Sequence, residues 1–399
     1  MMLALLVAIG IQSNFEAGNV GRIEKVSETH FRCGVPGESD QNKRNRQPSW
    51  FYFRMDGVKG KDVTLDLVDL EGEYNFRPHD GRGLRNMRPV YSYDNRNWKH
   101  FDNAEWIAKP ATMRVRFRAA GDRVWVARIA PYTNRDLEGL LDRFRKHPHL
   151  SEQVIGKTIE GRPMRLLTVG NPKVPVASKK VIWLMARQHS WETGTSWVAE
   201  GALRFLLSSD ERAARIRDAF TFKIIPMADP DGVARGGVRF NKNGYDLNRN
   251  WDTVDPKLMP EIHAQRKAVL DWVDSGNRID LFLAMHNTES VDYIQGPVAA
   301  GGPRMEALAQ RFWKLLDETT TFHSPGGPRD APATTTEGMK GRMSVNQGLF
   351  AERKVPAFLM ELMVDSSPKL SRLPTVEDRL EFGAALVRVM CETVATVGK

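Results

Sequence analysis

The chain has 399 residues, of which 41% are hydrophobic and 27% are charged, and its formal net charge is +9. This balance is typical of a globular protein and excludes a disordered or collagen-like chain. Its two cysteines, Cys33 and Cys391, are too few and too far apart in sequence for a disulfide framework or a cysteine-based zinc site.

The first eleven residues, MMLALLVAIGI, are all apolar or glycine. This run is shorter than the about 20 residues that a membrane-spanning helix needs, so no stable membrane insertion is expected. Two interpretations stay open. Residues 1–13 form a secretory signal segment with cleavage near Ser13 or Ala17, or they contain the buried first strand of a cytoplasmic protein. The sequence therefore leaves cytoplasmic and exported locations equally open.

From 14 to 134 the pattern predicts β-structure. Stretches rich in β-branched and aromatic residues are separated by Gly, Asn, Asp and Pro, and they cover 50–55, 63–70, 112–119 and 124–130. Several short strands at this spacing predict an N-terminal β-sandwich domain. A linker helix is expected in the following segment, 135–150.

The pattern changes at 151. Nearly continuous apolar runs, typical of strands buried on both faces, cover 181–186, 222–228, 281–286 and 357–363. Helical patterns lie between or after them at 196–207, 260–272, 304–319 and 376–394. This alternation predicts an α/β domain with a parallel or mixed sheet over 151–399.

Polar residues follow these buried strands or end them. His189 and Glu192 come after the first run, His286 ends the third, and Glu361 lies near the end of the fourth. Ligands bind beyond the carboxyl ends of strands in open α/β sheets, so we expect these four side chains to converge. Two histidines and one carboxylate, with a position left for water, form a catalytic zinc set. Glu361 then remains as a general base and acid.

The loop after the second run offers further polar groups. Arg239 can stabilise an oxyanion, and Asn248 with Arg249 can bind a carboxylate. Asp246 can accept a hydrogen bond from the second ring nitrogen of a ligand histidine and so select its tautomer. We therefore expect one zinc ion per chain and a site for a substrate with a free carboxylate.

The ordered set resembles the zinc metallocarboxypeptidases of the M14 family. The matching motifs are His189-x-x-Glu192, Pro230-Asp231-Gly232, Arg239, the Asp-Leu-Asn-Arg-Asn-Trp stretch at 246–251, His286 and Glu361. The Asp-Leu-Asn-Arg form is similar to the cytosolic carboxypeptidase-like, bacterial-type branch. The N-terminal motifs Arg88-Pro89-x-Tyr91-Ser92 and Pro131-Tyr132-Thr133 point to the same branch.

The resemblance implies a mixed-sheet catalytic domain behind a β-sandwich domain, acting on C-terminal residues of peptides or protein tails. It implies zinc on His189, Glu192 and His286, with Glu361 as the general base and acid. By the same resemblance Arg239 holds the scissile carbonyl, whereas Asn248 and Arg249 hold the terminal carboxylate.

The sequence departs from the family pattern at three points. Asp229 replaces the usual asparagine before the Pro-Asp-Gly turn, an exchange between two turn-forming residues. Tyr293, the one tyrosine between His286 and Glu361, lies too near His286 to match the family's mobile tyrosine, so no tyrosine cap is predicted. Tubulin-deglutamylating members carry an arginine in the stretch that matches 342–349 here. Val345 or Asn346 stands near that position, and Arg342 would serve only if the alignment slips, so a preference for glutamate is not predicted.

Two other functions are compatible with the sequence. An N-acyl amino acid amidohydrolase of the aspartoacylase type uses the same histidines and glutamate, although the sandwich domain and the 248–251 block favour the peptidase. A non-catalytic binding protein would use the net positive charge, but the basic stretches 43–46 and 143–146 lack a nucleic-acid-binding motif, so no nucleic-acid partner is expected. The oligomeric state is left open.

Overall fold

The structure is a computed structural model that describes residues 8–74, 77–331 and 340–397. By its contacts the chain divides into two compact units. The first contains the residues up to Pro131 together with Val233–Val238, and the second contains Tyr132–Gly232 and the residues from Arg239 onward. Most of the first apolar run, 1–7, lies outside the described residues.

The first unit is built almost entirely of strands. Its described strands are β1 Gly10–Gln12, β2 Ile23–Lys25, β3 His30–Gly34, β4 Tyr52–Asp56, β5 Asp62–Val68, β6 Gly72–Tyr74, β7 Arg77–His79, β8 Val90–Ser92, β9 Lys99–His100, β10 Ala104–Ala108, β11 Ala111–Arg118 and β12 Arg123–Ala127. They form two five-stranded sheets, β1-β4-β12-β8-β9 and β10-β11-β5-β3-β2, and β6 pairs with β7.

Alternation along these strands builds one hydrophobic core. Because successive side chains point to opposite faces of a sheet, every second residue of each central strand is buried. The shared buried cluster includes Phe53 and Met55, Val124 and Val126 from one sheet, and Leu65, Leu67, Met113 and Val115 from the other. Both sheets thus contribute to the same core.

The described end of the first apolar run is an edge strand. Strand β1 pairs antiparallel with β4, with Ile11 opposite Met55, and its first and last residues are exposed. Because Gly10 and Gln12 are exposed and Ile11 is only half-buried, the interpretation of this segment as a buried strand is wrong for residues 10–12. None of the helices in the described ranges is long and apolar enough to cross a membrane.

The second unit alternates strands and helices. Its elements are α1 Asn134–Phe144, β13 Leu150–Lys157, β14 Pro163–Val169, β15 Lys180–Met185, α2 Thr193–Leu206, α3 Glu211–Ala219, β16 Phe220–Ile225, α4 Pro230–Arg235 (which runs on into the segment 233–238), α5 Pro260–Asp274, β17 Leu281–Thr288, β18 Tyr293–Gly296, α6 Val298–Thr319, β19 Arg329–Asp330, α7 Val345–Arg353, β20 Ala357–Met363 and α8 Val376–Val397. The sheet order is β13-β14-β16-β15-β17-β20-β18-β19. The four central strands are parallel, whereas β13, β14 and β18 pair antiparallel, so the predicted mixed sheet is confirmed.

Three elements of the second unit differ in particular from the sequence prediction: two in their boundaries and one in having been missed. Strand β16 ends at Ile225 and not at 228, because Pro226 cannot donate to the ladder. Helix α6 begins at Val298, six residues early, and bends where Gly302 has a φ of 66° before Pro303. Helix α7 was not predicted, although Ser344 and Gln347 form a capping box at its start.

Helices cover the sheet and pack closely on each other. Helices α5 and α7 contribute Ile262, Val269, Val345 and Leu349 to a core shared with sheet residues such as Trp183 and Phe282. Helices α2 and α8 are in close backbone contact at Gly201 of α2, which has no Cβ. A Cβ at this position would lie 2.1 Å from the Leu380 carbonyl oxygen of α8. The position of α2, which follows Glu192 directly, therefore depends on this close contact.

Candidate metal centre

The sheet brings the predicted residues to one edge. Strands β15, β17 and β20 are consecutive and parallel, so their carboxyl ends lie side by side. His286 near the end of β17 is in register with Glu361 on β20. The turn after β15 supplies His189 and Glu192, which lie beside His286. The convergence expected from the strand pattern is thus what the structure shows.

A tight turn after β15 places His189 and Glu192 on the same side. Arg187 has a φ of 63° and is fully buried, and its Nε donates to the Ser190 carbonyl at 2.8 Å. The Glu192 amide donates to the His189 carbonyl at 3.1 Å, which closes the turn before α2 begins. The spacing of three residues therefore puts the imidazole and the carboxylate next to each other.

His189, Glu192 and His286 form a compact buried triad. Their potential ligand atoms lie within 4.8 Å of one another. Glu192 Oε1 lies 2.7 Å from His189 Nδ1, and Glu192 Oε2 lies 3.0 Å from His286 Nδ1. The two Nδ1 atoms are 3.2 Å apart. All three side chains are almost completely buried, so solvent does not separate these charges.

The other ring nitrogens select the tautomers of both histidines. His189 Nε2 lies 3.0 Å from Asp246 Oδ1, a carboxylate oxygen that can only accept. His286 Nε2 lies 3.0 Å from Gln188 Oε1, and Gln188 is oriented because its Nε2 donates to the Leu247 carbonyl at 2.9 Å. Each Nε2 therefore carries the hydrogen, and the neutral rings present both Nδ1 lone pairs to the triad.

This arrangement fits a bound cation. The Nδ1 lone pairs of His189 and His286 and the Glu192 carboxylate all point toward one another. In the neutral tautomers no hydrogen lies between these three acceptors, so a cation is needed to balance them. Although burial opposes it, the interactions with His189 and His286 lower the pKa of Glu192 to about 2, so the carboxylate is ionised. Burial and Arg239 lower the pKa of His189, but the carboxylates of Glu192 and Asp246 outweigh them and raise it. Two neutral imidazoles and one carboxylate are the donor set of a catalytic zinc ion.

Glu361 lies beside the triad with unused hydrogen-bonding capacity. Its Oε2 is buried and has no hydrogen-bond partner within the described residues. Burial and the nearby charge of Glu192 raise its pKa well above the usual value, against the opposing charges of Arg239 and Arg249. A carboxyl group whose pKa is perturbed in this way next to a metal set is a candidate general base.

The loop after α4 supplies the remaining predicted residues. Arg239 Nε donates to Asp246 Oδ2 at 2.7 Å, so Asp246 links this guanidinium to His189. Asn248 Oδ1 accepts from the Val345 amide at 3.0 Å, at the first residue of α7. Arg249 Nη1 donates to the Asn248 carbonyl at 2.8 Å. Burial would raise the pKa of Asp246, but the interactions with Arg239, His189 and Arg249 together lower it well below its usual value.

Two residues of this site were not singled out by the sequence. Gln188 orients His286, and Arg187 ties the ligand turn together through Ser190 and the Ser196 hydroxyl. Both directly precede His189, so their position after a buried strand was the available signal. Their roles depend on partners that are distant in the chain, such as Leu247, and no local pattern shows these.

The two sequence departures near Glu361 have clear positions in the structure. Tyr293 on β18 lies opposite Glu361 in the antiparallel ladder, with the Arg329 guanidinium 3.8 Å from its ring centroid. Val345 and Asn346 begin α7 and are both buried, and the Asn346 Oδ1 accepts from the Ser344 hydroxyl at 2.6 Å. The two positions compared with the deglutamylating arginine are thus occupied by residues engaged in helix packing and capping.

Comparison with known proteins gives two matching family models. The model of the zinc carboxypeptidases, Peptidase M14, matches residues 137–296. The model of the cytosolic carboxypeptidase N-terminal domain matches residues 11–129. The two matches adjoin in the order that the strand-rich and α/β regions follow.

Individual relatives agree with these matches. Cytosolic carboxypeptidase 6 of Caenorhabditis elegans is 28% identical over 321 residues, which cover 76% of this chain and 68% of that protein. Cytosolic carboxypeptidase 2 of Homo sapiens is 30% identical over 278 residues, which cover 65% of this chain and 30% of that protein. This chain thus spans less than a third of the human relative.

A solved structure matches along almost the whole chain. The crystal structure of a metallo-carboxypeptidase from Burkholderia cenocepacia has a TM-score of 0.81 and 25% sequence identity, and the match covers 98% of this chain and all of that one. A metallo-carboxypeptidase from Pseudomonas aeruginosa, 21% identical, shares the fold with the same TM-score.

Proposed function

Because this chain belongs to the M14 zinc carboxypeptidases and carries the N-terminal domain of the cytosolic carboxypeptidases, we propose that it removes C-terminal residues from peptides or protein tails. The single observation that carries this proposal is the triad of His189, Glu192 and His286, with both Nδ1 lone pairs directed inward and Glu361 in register with His286.

His189, Glu192 and His286 hold the zinc ion. Asp246 and Gln188 keep both rings in the tautomer that leaves Nδ1 free to coordinate. When bound there, zinc lowers the pKa of water, polarises a carbonyl group, and adds a positive charge that opposes the raised pKa of Glu361.

Glu361 moves the proton of the reaction. Its carboxylate takes a proton from the attacking water as the water oxygen bonds to the scissile carbonyl carbon. It then delivers this proton to the amide nitrogen as the carbon–nitrogen bond breaks, which releases a free amino acid and a new C-terminal carboxylate. The buried Oε2 without a protein partner is a suitable position for the proton in transit.

The loop residues bind the substrate. Arg239, held by its Nε bond to Asp246, stabilises the scissile carbonyl oxygen. Asn248 and Arg249 bind the terminal carboxylate: the Val345 amide holds Asn248 Oδ1 and so directs its Nδ2, and Arg249 adds positive charge. A free carboxylate at the substrate terminus is therefore required.

A peptide library analysed by mass spectrometry tests the function. We expect stepwise loss of single C-terminal residues, blocked by a metal chelator and restored by zinc, and no loss from C-terminally amidated peptides. The ranking of terminal residues gives the preferred side chain. Release of amino acids from N-acyl amino acids but not from peptides would instead support the amidohydrolase alternative.

We also propose that the protein acts in the cytoplasm. The worm and human relatives are named cytosolic carboxypeptidases, and cleavage near Ser13 or Ala17 would remove strand β1 from its sheet. Fractionation of expressing cells, followed by sequencing of the mature N-terminus, tests this. An exported protein beginning after Ser13 or Ala17 would contradict it.

A further inference from the structure

Six residues within the catalytic region of the sequence, Val233–Val238, belong by their contacts to the first unit. We infer that the first unit holds this segment in order to position Arg239, and that Glu38 is the positioning residue. The inference rests on the proposed function, in which Arg239 stabilises the scissile carbonyl.

Glu38 binds the segment at two points with one carboxylate. Its Oε1 accepts from Arg235 Nη2 at 3.0 Å, and its Oε2 accepts from the Val238 amide at 2.9 Å. The backbone of Glu38 is itself paired with Gln47 in an antiparallel bridge. Hydrogen bonds to a charged group are stronger than those between neutral groups, so this carboxylate restrains both Arg235 and the peptide group at Val238.

The first part of the chain makes further contacts with the same segment. The Ala17 amide donates to the Ala234 carbonyl at 3.1 Å, and Asn19 Nδ2 donates to the Gly236 carbonyl at 2.7 Å. Gly236 has a φ of 68°, and a Cβ there would lie 2.5 Å from the Gly18 carbonyl oxygen. The hydrogen bonds from Ala17 and Asn19 restrain the backbone of the segment, and Gly236 occupies a position that only glycine fits. The segment therefore has little conformational freedom.

This restraint ends one peptide bond before Arg239. Arg239 Nε donates to Asp246 Oδ2 at 2.7 Å, and the other oxygen of Asp246 lies 3.0 Å from His189 Nε2. A displacement of the Val238 peptide therefore moves the backbone that carries the guanidinium. Small misplacements of a group that binds the reacting carbonyl cost large factors in rate. Glu38 thus acts on the position of Arg239 through the Val238 peptide group.

A double-mutant cycle tests whether Glu38 acts through Arg239. Replacing Glu38 by alanine removes both hydrogen bonds, and we expect kcat/KM on a free-C-terminus peptide to fall about 10- to 100-fold. In the Arg239→Ala background the same replacement should have almost no further effect. Glu38→Gln keeps an acceptor for the Val238 amide and should restore part of the activity.

Controls separate positioning from general damage. Glu105→Ala removes an exposed ion pair with Arg116 in the same unit (2.9 Å) and should leave kcat/KM unchanged. Zinc content should be the same in all variants, because the triad keeps its ligands. Asn19→Ala, which removes the bond to Gly236, serves as a second variant if Glu38→Ala does not fold.

Hydrogen exchange of the zinc-loaded protein provides a readout independent of activity. We expect faster deuterium uptake in peptides covering 233–241 in Glu38→Ala but not in Glu105→Ala. Equal losses of kcat/KM in the wild-type and Arg239→Ala backgrounds would overturn the inference. If the wild-type protein cleaves no peptide, the proposed function fails instead, and the exchange result alone then supports or overturns the positioning by Glu38.

Discussion

At the scale of single residues, a substitution of Glu361 can distinguish its proposed role as general base from the proposed metal binding by the triad. It stands next to the triad but outside it, and its buried Oε2 has no protein partner among the described residues. We expect Glu361→Gln to keep one zinc per chain and to lose about 10²- to 10⁴-fold in kcat, because the amide cannot carry the proton. Metal analysis and steady-state kinetics on the same preparation test this. Full activity with zinc bound would refute the general-base role.

Gln188 offers a second test, directed at the metal ligands. Removing its carboxamide in Gln188→Ala leaves His286 Nε2 without its acceptor, so the ring is free to adopt the other tautomer. We expect zinc affinity to fall about 10- to 100-fold, as for other residues that orient metal ligands. Competition with a chromogenic chelator measures the affinity. Gln153→Ala on the exposed β13 is the control, and equal affinities in the two variants would contradict the orienting role.

At the scale of elements, the crossing of α2 and α8 supports Glu192. Glu192 is the N-cap residue of α2, and Gly201 in that helix lies against Leu380 of α8. We expect Gly201→Ala to lower the free energy of unfolding by about 1–3 kcal/mol, because the added methyl group meets backbone that cannot move away. Chemical denaturation measures this quantity.

A matched helical glycine provides the control for that substitution. Gly139 lies inside α1, and a Cβ there meets nothing within 4 Å. Gly139→Ala should therefore stabilise the protein by about 0.5–1 kcal/mol, because alanine favours the helix. Destabilisation by both substitutions would mean that the close helix crossing is not the cause.

The second sheet of the first unit contains an ion pair with a buried carboxylate, Asp66, whose contribution to folding stability depends on pH. Asp66 on β5 is 1% exposed and accepts two bonds from Arg114, at 2.6 and 2.8 Å, and one from His30 at 2.9 Å. Burial would raise the pKa of Asp66, but the bonds from Arg114 and His30 lower it below the usual value. A carboxyl whose pKa is lower in the folded state stabilises the protein above its unfolded pKa of about 3.9, and this stabilisation is lost as pH falls further.

Replacing the Asp66 carboxylate should therefore weaken the dependence of the free energy of unfolding on pH in the acidic range. We expect Asp66→Asn to lower the free energy of unfolding at pH 7 by about 1.5–3 kcal/mol, and by progressively less as pH falls below about 4. Denaturation curves between pH 3 and 7 measure the difference. Asp62→Asn breaks only an exposed pair with Arg118 and should cost about 0–1 kcal/mol. A loss for Asp66→Asn that does not change with pH would contradict the assignment.

At the scale of the whole molecule, zinc binding should be linked to the stability of the fold. The triad joins the turn after β15 to strand β17, and a ligand that binds only the folded state stabilises it. At free zinc of about 100 times Kd, we expect a gain of about 2.7 kcal/mol, seen as a rise in Tm by calorimetry. A chelator should reverse the rise.

The histidines provide the control pair for this linkage. His189→Ala should abolish the response to zinc, because it removes a triad ligand. His263 is exposed on α5, so His263→Ala should keep the full response. A zinc response that persists in His189→Ala would place the stabilising ion elsewhere in the protein.

The sequence by itself determined the elements whose signals are local. The run at 357–363, apolar except for Glu361, coincides with β20 because a central strand with both faces buried needs mostly apolar residues. The His-x-x-Glu spacing and the position of His286 near the end of a buried strand predicted the candidate metal set, because few residue types can bind zinc. The family resemblance rests on the same residues and on their order along the chain.

Only the tertiary structure decided the features that depend on partners distant in the chain. The tautomers of His189 and His286 follow from Asp246 and Gln188, whose contacts form only when the loop after α4 reaches the sheet edge. Tyr293 lies opposite Glu361 because β18 runs antiparallel beside β20, an arrangement that no local pattern encodes. The contact of Glu38 with Arg235 likewise joins residues nearly 200 positions apart in the chain. Hydrogen bonds between such distant groups leave no periodic trace in the sequence, and so the fold alone reveals them.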